Sequence, residues 1–161
     1  MAGGAIFPSS AYPGASGNIF PNFYGGAGGN AAPHDEGWGV VASLGADSVL
    51  ELRFPIPPTL PTGTLKLRML ALANATSGVA KLTVSDKNVA AGASPSAAAL
   101  TGETQQTVTW AAGDNDKYKE VKLTLTPAPA GNDTLVVAVT FNTTGWTLAQ
   151  VSTWLFSLIW E

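Results

Sequence analysis

His34 is the only histidine of the chain and stands beside Asp35 and Glu36. Those side chains are of the kinds that make a metal site or a general base. The chain has no cysteine, however, so the common zinc sets cannot be completed. A Ser/His/Asp triad needs a rigidly held imidazole, which Pro33 and the Gly-rich stretch before it do not promise. The trio reads as a polar hinge. Asp114, Asn115 and Asp116 bring hard oxygen ligands that suit calcium, but without the Gly and terminal Glu of an EF-hand loop. A solvated turn is the simpler reading. Glu103 and Asp133 are isolated, and nothing pairs two carboxylates for glycoside hydrolysis. The residues therefore predict no enzyme, no cofactor and no metal.

Aromatic side chains offer a different chemistry. Trp110, Tyr118 and Trp146 have flat faces that can stack on sugars, and Asn142, Thr143 and Thr144 carry groups that can hydrogen-bond sugar hydroxyls. Tyr118 and Trp146 are the candidate glycan contacts. The competing expectation is that Trp110 ends a strand inside the core and Trp146 plugs a loop end. Asn74-Ala75-Thr76, Asn132-Asp133-Thr134 and Asn142-Thr143-Thr144 fit the glycosylation pattern, but read more simply as turns built on asparagine's local hydrogen bonds.

These residues sit in a chain of 161, enough for one domain, in which 45% are hydrophobic and only 12% charged. An average soluble domain carries about 25% charged residues. Such a chain has apolar surface to hide beyond an ordinary core, and oligomerisation is one way to hide it. The net charge is −3, and no Lys or Arg falls before Arg53, which argues against nucleic acid. No apolar run is long enough for a membrane helix, and no secretory signal pattern opens the sequence. A soluble protein made in a cytoplasm is expected.

Composition shifts near Gly37. Residues 1–37 hold nine of the 18 glycines, four prolines and only two charges. They also carry Ile6-Phe7-Pro8 and Ile19-Phe20-Pro21, with Tyr12, Phe23 and Tyr24. This predicts an extended N-terminal arm over 1–37 whose anchors are Ile6, Phe7, Pro8, Tyr12, Ile19, Phe20, Pro21, Phe23 and Tyr24. From Trp38 the pattern has a period of two, as in Leu50/Leu52/Phe54, Leu65/Leu67/Met69, Ala80/Leu82/Val84 and Val121/Leu123/Leu125. Strands are expected near 38–44, 48–54, 64–73, 78–85, 104–110, 119–126, 133–141 and 152–161. Eight such strands over 38–161 predict an all-β fold, a single jelly-roll-like β-sandwich. Leu135 to Phe141 and Thr153 to Trp160 are apolar on both faces. With Leu135, Val137, Val139, Trp154, Phe156 and Leu158 pointing inward, Val136, Ala138, Leu155 and Ile159 would face outward as an oligomer seam.

One stretch resembles a known group. Leu52-Arg53-Phe54-Pro55-Ile56-Pro57-Pro58, then Thr62-Gly63-Thr64-Leu65-Lys66-Leu67, then Ala73-Asn74-Ala75-Thr76-Ser77-Gly78, with an aromatic closing strand from Trp154 to Trp160, resembles β-sandwich virion proteins of tailed bacteriophages. The plan of arm, β domain, few charges and no Cys looks most like capsid decoration (cement) proteins. That resemblance implies a homotrimer on the capsid surface of a virion, bound to the major capsid protein and assembled from a host cytoplasm. The alternative it leaves open is a carbohydrate- or receptor-binding β-sandwich of a phage tail or fibre.

Overall fold

The structure, a computed structural model, describes residues 5–6, 8, 10–13, 19–22, 37–41, 48–72, 77–94, 99–102, 105–114, 117–126, 129–142, 144–145, 147–148 and 150–161. Its strands are β1 (Ser10–Pro13), β2 (Ile19–Asn22), β3 (Gly37–Val41), β4 (Ser48–Pro55), β5 (Leu65–Leu72) and β6 (Gly78–Val89). After them come β7 (Thr101–Gly102), β8 (Gln106–Trp110), β9 (Lys119–Thr124), β10 (Thr134–Asn142) and β11 (Gln150–Trp160). The eight strands expected from the alternation are all present. Among the described residues the only helical element is the 3-10 turn Ala112–Asp114. The chain is an all-β sandwich.

The strands form two antiparallel sheets. The first has the order β1-β4-β10-β6-β7, with β8 also paired to β6; the second has the order β2-β3-β11-β5-β9. Each strand sends alternate side chains to opposite faces. Leu50, Leu52 and Phe54 of β4, Leu135, Val137, Val139 and Phe141 of β10, and Ala80, Leu82 and Val84 of β6 line the inner face of the first sheet. Leu65, Leu67, Met69, Val121, Leu123, Phe156 and Leu158 face them from the second sheet, and all are buried. Trp110 ends β8 inside this core at 1% exposure, the strand-end position expected for it.

One end of the sandwich is closed by a polar anchor. Asn88 Nδ2 donates to Asp133 Oδ2 at 2.5 Å, and the Ala130 amide donates to the same oxygen at 3.1 Å. Gly131 fits there because a Cβ would stand 2.3 Å from the Pro58 carbonyl oxygen. This close approach lets the turn before β10 lie on the segment after β4, where the Ile56 amide donates to the Asp133 carbonyl at 2.9 Å.

Three findings depart from the alternation or from the expected arm. First, β1 and β2 lie within residues 1–37, yet β1 pairs with β4 and β2 pairs with β3 of the same chain. Ile6 also exchanges two backbone hydrogen bonds with Leu158, at 3.0 and 2.7 Å, and packs against the core. The stretch thus supplies a strand to each of the two sheets of the same chain. Second, β11 carries a register shift between Trp154 and Ser157. Trp154 pairs with Leu70 and Ser157 with Arg68, so the ladder slips by one residue between them. Third, Val136 and Ala138 do lie off the core face, but they are 1% and 2% exposed within one chain. They stand in register between Arg53 and Lys87, and between Glu51 and Ser85. These two residues of the expected oligomer seam are already covered and offer no free apolar surface.

Candidate functional site

The outer faces of the two sheets differ in chemistry. On the second sheet the charges are spent on one another. Lys66 Nζ lies 2.9 Å from Glu161 Oε2, Lys122 bonds the other Glu161 oxygen, and Arg68 pairs with Glu120, which also faces Lys122 at 3.8 Å. The Glu161 backbone is tied in turn, its amide donating to the Thr64 carbonyl at 3.1 Å and its carbonyl accepting from the Thr64 amide at 2.7 Å.

Lys122 first, then Lys66, hold the Glu161 carboxyl below its ordinary pKa, and the hydrogen bond from Lys122 to Glu161 raises the Lys122 ammonium. A carboxylate with a lowered folded pKa stabilises the fold above its unfolded value, about 4.3 for Glu, and loses that contribution as pH falls through the lowered value. Glu161→Gln is therefore expected to lower urea-unfolding stability slightly at neutral pH and to flatten its fall below about pH 4. An unchanged acid limb would show that this exposed network contributes nothing measurable.

The open end of the first sheet is built differently. Outward positions of β6, β8 and β10 fall into two rows, Lys81–Thr107–Asn142 and Thr83–Thr140, with Val79–Thr109 beyond them. Lys81 Nζ donates to Thr107 Oγ1 at 2.5 Å, and Thr83 Oγ1 donates to Asn142 Oδ1 at 2.7 Å. Lys81, Thr83, Thr140 and Asn142 are half-buried, while Thr107 and Thr109 are exposed. Period-two placement on three adjacent strands thus collects hydroxyl, amide and ammonium groups on one rigid face. No carboxylate stands in these rows.

The loop after β10 is pinned to the same place. The Thr147 amide donates to the Val79 carbonyl at 3.0 Å, and the Val79 amide donates to Thr147 Oγ1 at 2.9 Å. Leu148 is buried beneath, against Gly78, where φ is +152° and a Cβ would stand 2.5 Å from Leu148 Cδ2. Only glycine fits that backbone and that approach. On the other side, a Cβ on Gly145 would stand 3.4 Å from Lys81 Cε. Gly145 and Thr147, the two neighbours of Trp146 in sequence, are therefore anchored on β6 beside the polar rows.

The predicted site residues divide as follows. Trp146 lies outside the described residues, as do Phe7, Phe23, Tyr24, Thr143 and the hinge His34-Asp35-Glu36. Tyr118 is 54% exposed, directly before Lys119, whose ammonium donates to the Thr109 carbonyl at 2.7 Å. Asn142 belongs to the polar rows themselves. Ile6 packs on the core and Pro8 is half-buried, whereas Tyr12, Ile19, Phe20 and Pro21 are strand residues of β1 and β2. Ile159 is half-buried on the outer side of the second sheet opposite Lys66, and Leu155 is a backbone residue of the register shift in β11.

Of the acidic turn, Asn115 and Asp116 lie outside the described residues, and Asp114 is committed elsewhere. Asp114 Oδ2 accepts from Lys119 Nζ at 2.8 Å and from the Ala111 amide at 3.0 Å; these bonds, the first above all, lower its pKa. Among the described residues no three His, Cys, Asp or Glu gather as a metal site, and no helix is long and apolar enough to cross a membrane. Sequence reasoning missed Lys81, Thr83 and Thr107. The alternation put Lys81 and Thr83 in water but carried no sign of which strand lay beside them.

No family model matches the chain, and no curated protein matches it. Among solved structures it is similar to the arabinose-bound α-L-arabinofuranosidase MgGH51, with a TM-score of 0.52 and 16% identity over 97% of this chain and 24% of that one. The chain thus spans about a quarter of that enzyme's length. It is also similar to the family 11 carbohydrate-binding module from Clostridium thermocellum in complex with a β-1,3-1,4-mixed-linked tetrasaccharide, with a TM-score of 0.51 and 9% identity over 94% of this chain and 88% of that one. At these identities the likeness is one of fold: a β-sandwich.

Proposed function

We propose that this protein is a non-catalytic, carbohydrate-binding β-sandwich whose binding face is the open end of the first sheet. The observation that carries the reading is the pair of rows Lys81–Thr107–Asn142 and Thr83–Thr140, with a loop pinned beside them at Gly145 and Thr147. Sugars present many hydroxyls in fixed directions, and a flat sheet carrying side chains locked in mutual hydrogen bonds matches them at little entropic cost. Trp146 and Tyr118 would add the aromatic surfaces on which sugar rings stack. A sandwich neighbour of nearly the same length that was solved with a tetrasaccharide adds support at the level of fold. The virion reading, with a trimer on a major capsid protein, rests on the sequence resemblance, and no observation of the structure favours it over this one.

A glycan array followed by calorimetric titration of the best ligand tests the proposal. Trp146→Ala is expected to weaken binding at least tenfold, about 1.4 kcal/mol, with the fold unchanged by circular dichroism. If the folded protein binds no glycan on the array, the reading fails.

A further inference from the structure

Lys81 differs from five other lysines and arginines of the sheets in what it faces. Arg53, Lys66, Arg68, Lys119 and Lys122 each have a carboxylate within 4 Å: Glu51 for Arg53, Glu161 for Lys66, Glu120 for Arg68, Asp114 for Lys119, and both Glu120 and Glu161 for Lys122. Lys81 is half-buried, and among the described residues its ammonium meets only the neutral Thr107 hydroxyl, at 2.5 Å. An ammonium has three donors, so this bond leaves two. Its neighbours in the rows, Val79, Thr83, Thr109, Thr140 and Asn142, include no acid. The open end of the first sheet thus holds a positive charge, partly withdrawn from water and without a counter-charge among the described residues, on a protein whose net charge is −3. A charge so placed favours an anion over a neutral ligand, because the attraction is less screened than in water while part of the desolvation has already occurred.

Resting on the glycan-binding reading above, we infer that Lys81 receives an anionic substituent of the sugar chain, so that the ligand is an acidic glycan. A uronate carboxylate or a sulfate ester supplies the same chemistry: an oxygen anion that takes one or two charge-assisted hydrogen bonds from Nζ. Thr107, whose oxygen accepts from Lys81, is left with its own proton to donate to the same group. Thr83 and Asn142 then meet hydroxyls of the adjoining ring.

The test is calorimetric titration of the full chain and of Lys81→Gln with four probes. These are an oligogalacturonate, its carboxyl-reduced counterpart of equal length, a sulfated oligosaccharide and poly-glutamate. Gln keeps an N–H for Thr107 but removes the charge. The native chain is expected to bind the oligogalacturonate or the sulfated oligosaccharide at least tenfold more tightly than the neutral chain, with affinity falling as salt rises. Lys81→Gln should lose about tenfold to a hundredfold on the acidic probe and much less on the neutral one, so that the preference for the acidic chain disappears. Which acidic probe binds identifies the anion. Equal affinity for acidic and neutral sugars, or an acidic affinity untouched by Lys81→Gln, overturns the inference while leaving the glycan reading intact. Binding of poly-glutamate as tightly as of the acidic sugars overturns it as well, since charge alone would then suffice. Absence of binding to every sugar removes both.

Discussion

Phe54→Ala is expected to cost about 3–5 kcal/mol of folding free energy, the range for deleting a buried aromatic ring from a packed core. Phe54 has no exposed surface, lies opposite Leu135 in the first sheet and belongs to the single core that both sheets share. A sandwich has no second core to absorb such a void, and neighbours held by two ladders of backbone hydrogen bonds can close it only in part. Since domains of this size are stable by about 5–15 kcal/mol, the variant would lose a large share of its stability. Urea unfolding followed by tryptophan fluorescence measures it: the midpoint should fall with the denaturant slope unchanged. A loss below about 1 kcal/mol would mean that the ring is not packed as described.

Val136→Asp should be comparably damaging, and it separates two views of the same strand. Val136 is 1% exposed in the single chain although it lies on the side of β10 away from the core. A carboxylate placed there loses its water at a cost of several kcal/mol, of which attraction to Arg53 and Lys87, its neighbours in register, returns only part. Were Val136 instead part of a seam between copies, a monomer would tolerate Asp within about 0.5 kcal/mol, and the change would appear as a shift in oligomeric state. Thermal unfolding at several protein concentrations, with light scattering alongside, distinguishes them. A concentration-independent drop in midpoint is the expected result; an unaltered midpoint with lost assembly would restore the seam.

Much of the fold was legible because alternation is a local property. Leu50/Leu52/Phe54, Leu65/Leu67/Met69, Ala80/Leu82/Val84 and Val121/Leu123/Leu125 are buried, as their period of two requires. The departures occur where alternation says nothing. Ser10–Pro13 and Ile19–Asn22 are too short and too rich in Gly and Pro on either side to announce themselves, and they are strands because β4 and β3 present edges to pair with. The irregularity between Trp154 and Ser157 adds to β11 a change of phase that no period can foresee.

The candidate site divides the same way. Asn142 and Tyr118 were visible as residue types able to meet a sugar, and Lys81 and Thr83 were visible as the wet side of a strand. Their assembly was not visible, because it depends on pairing across the chain: Lys81 and Thr107 are 26 residues apart, and Thr83 and Asn142 are 59 apart. By itself the sequence determined an all-β chain, its eight main strands and, for β4, β5, β6 and β9, the side that enters the core, since burial of alternate side chains needs no knowledge of neighbours. Only the tertiary structure decided that β8, β6 and β10 stand side by side, which leaves one ammonium facing hydroxyls and another strand's lysines facing carboxylates. It also decided that Val136 and Ala138 are covered. Both outcomes follow from the order of strands in the sheets, and that order is fixed by the packing of the whole core rather than by any stretch of it.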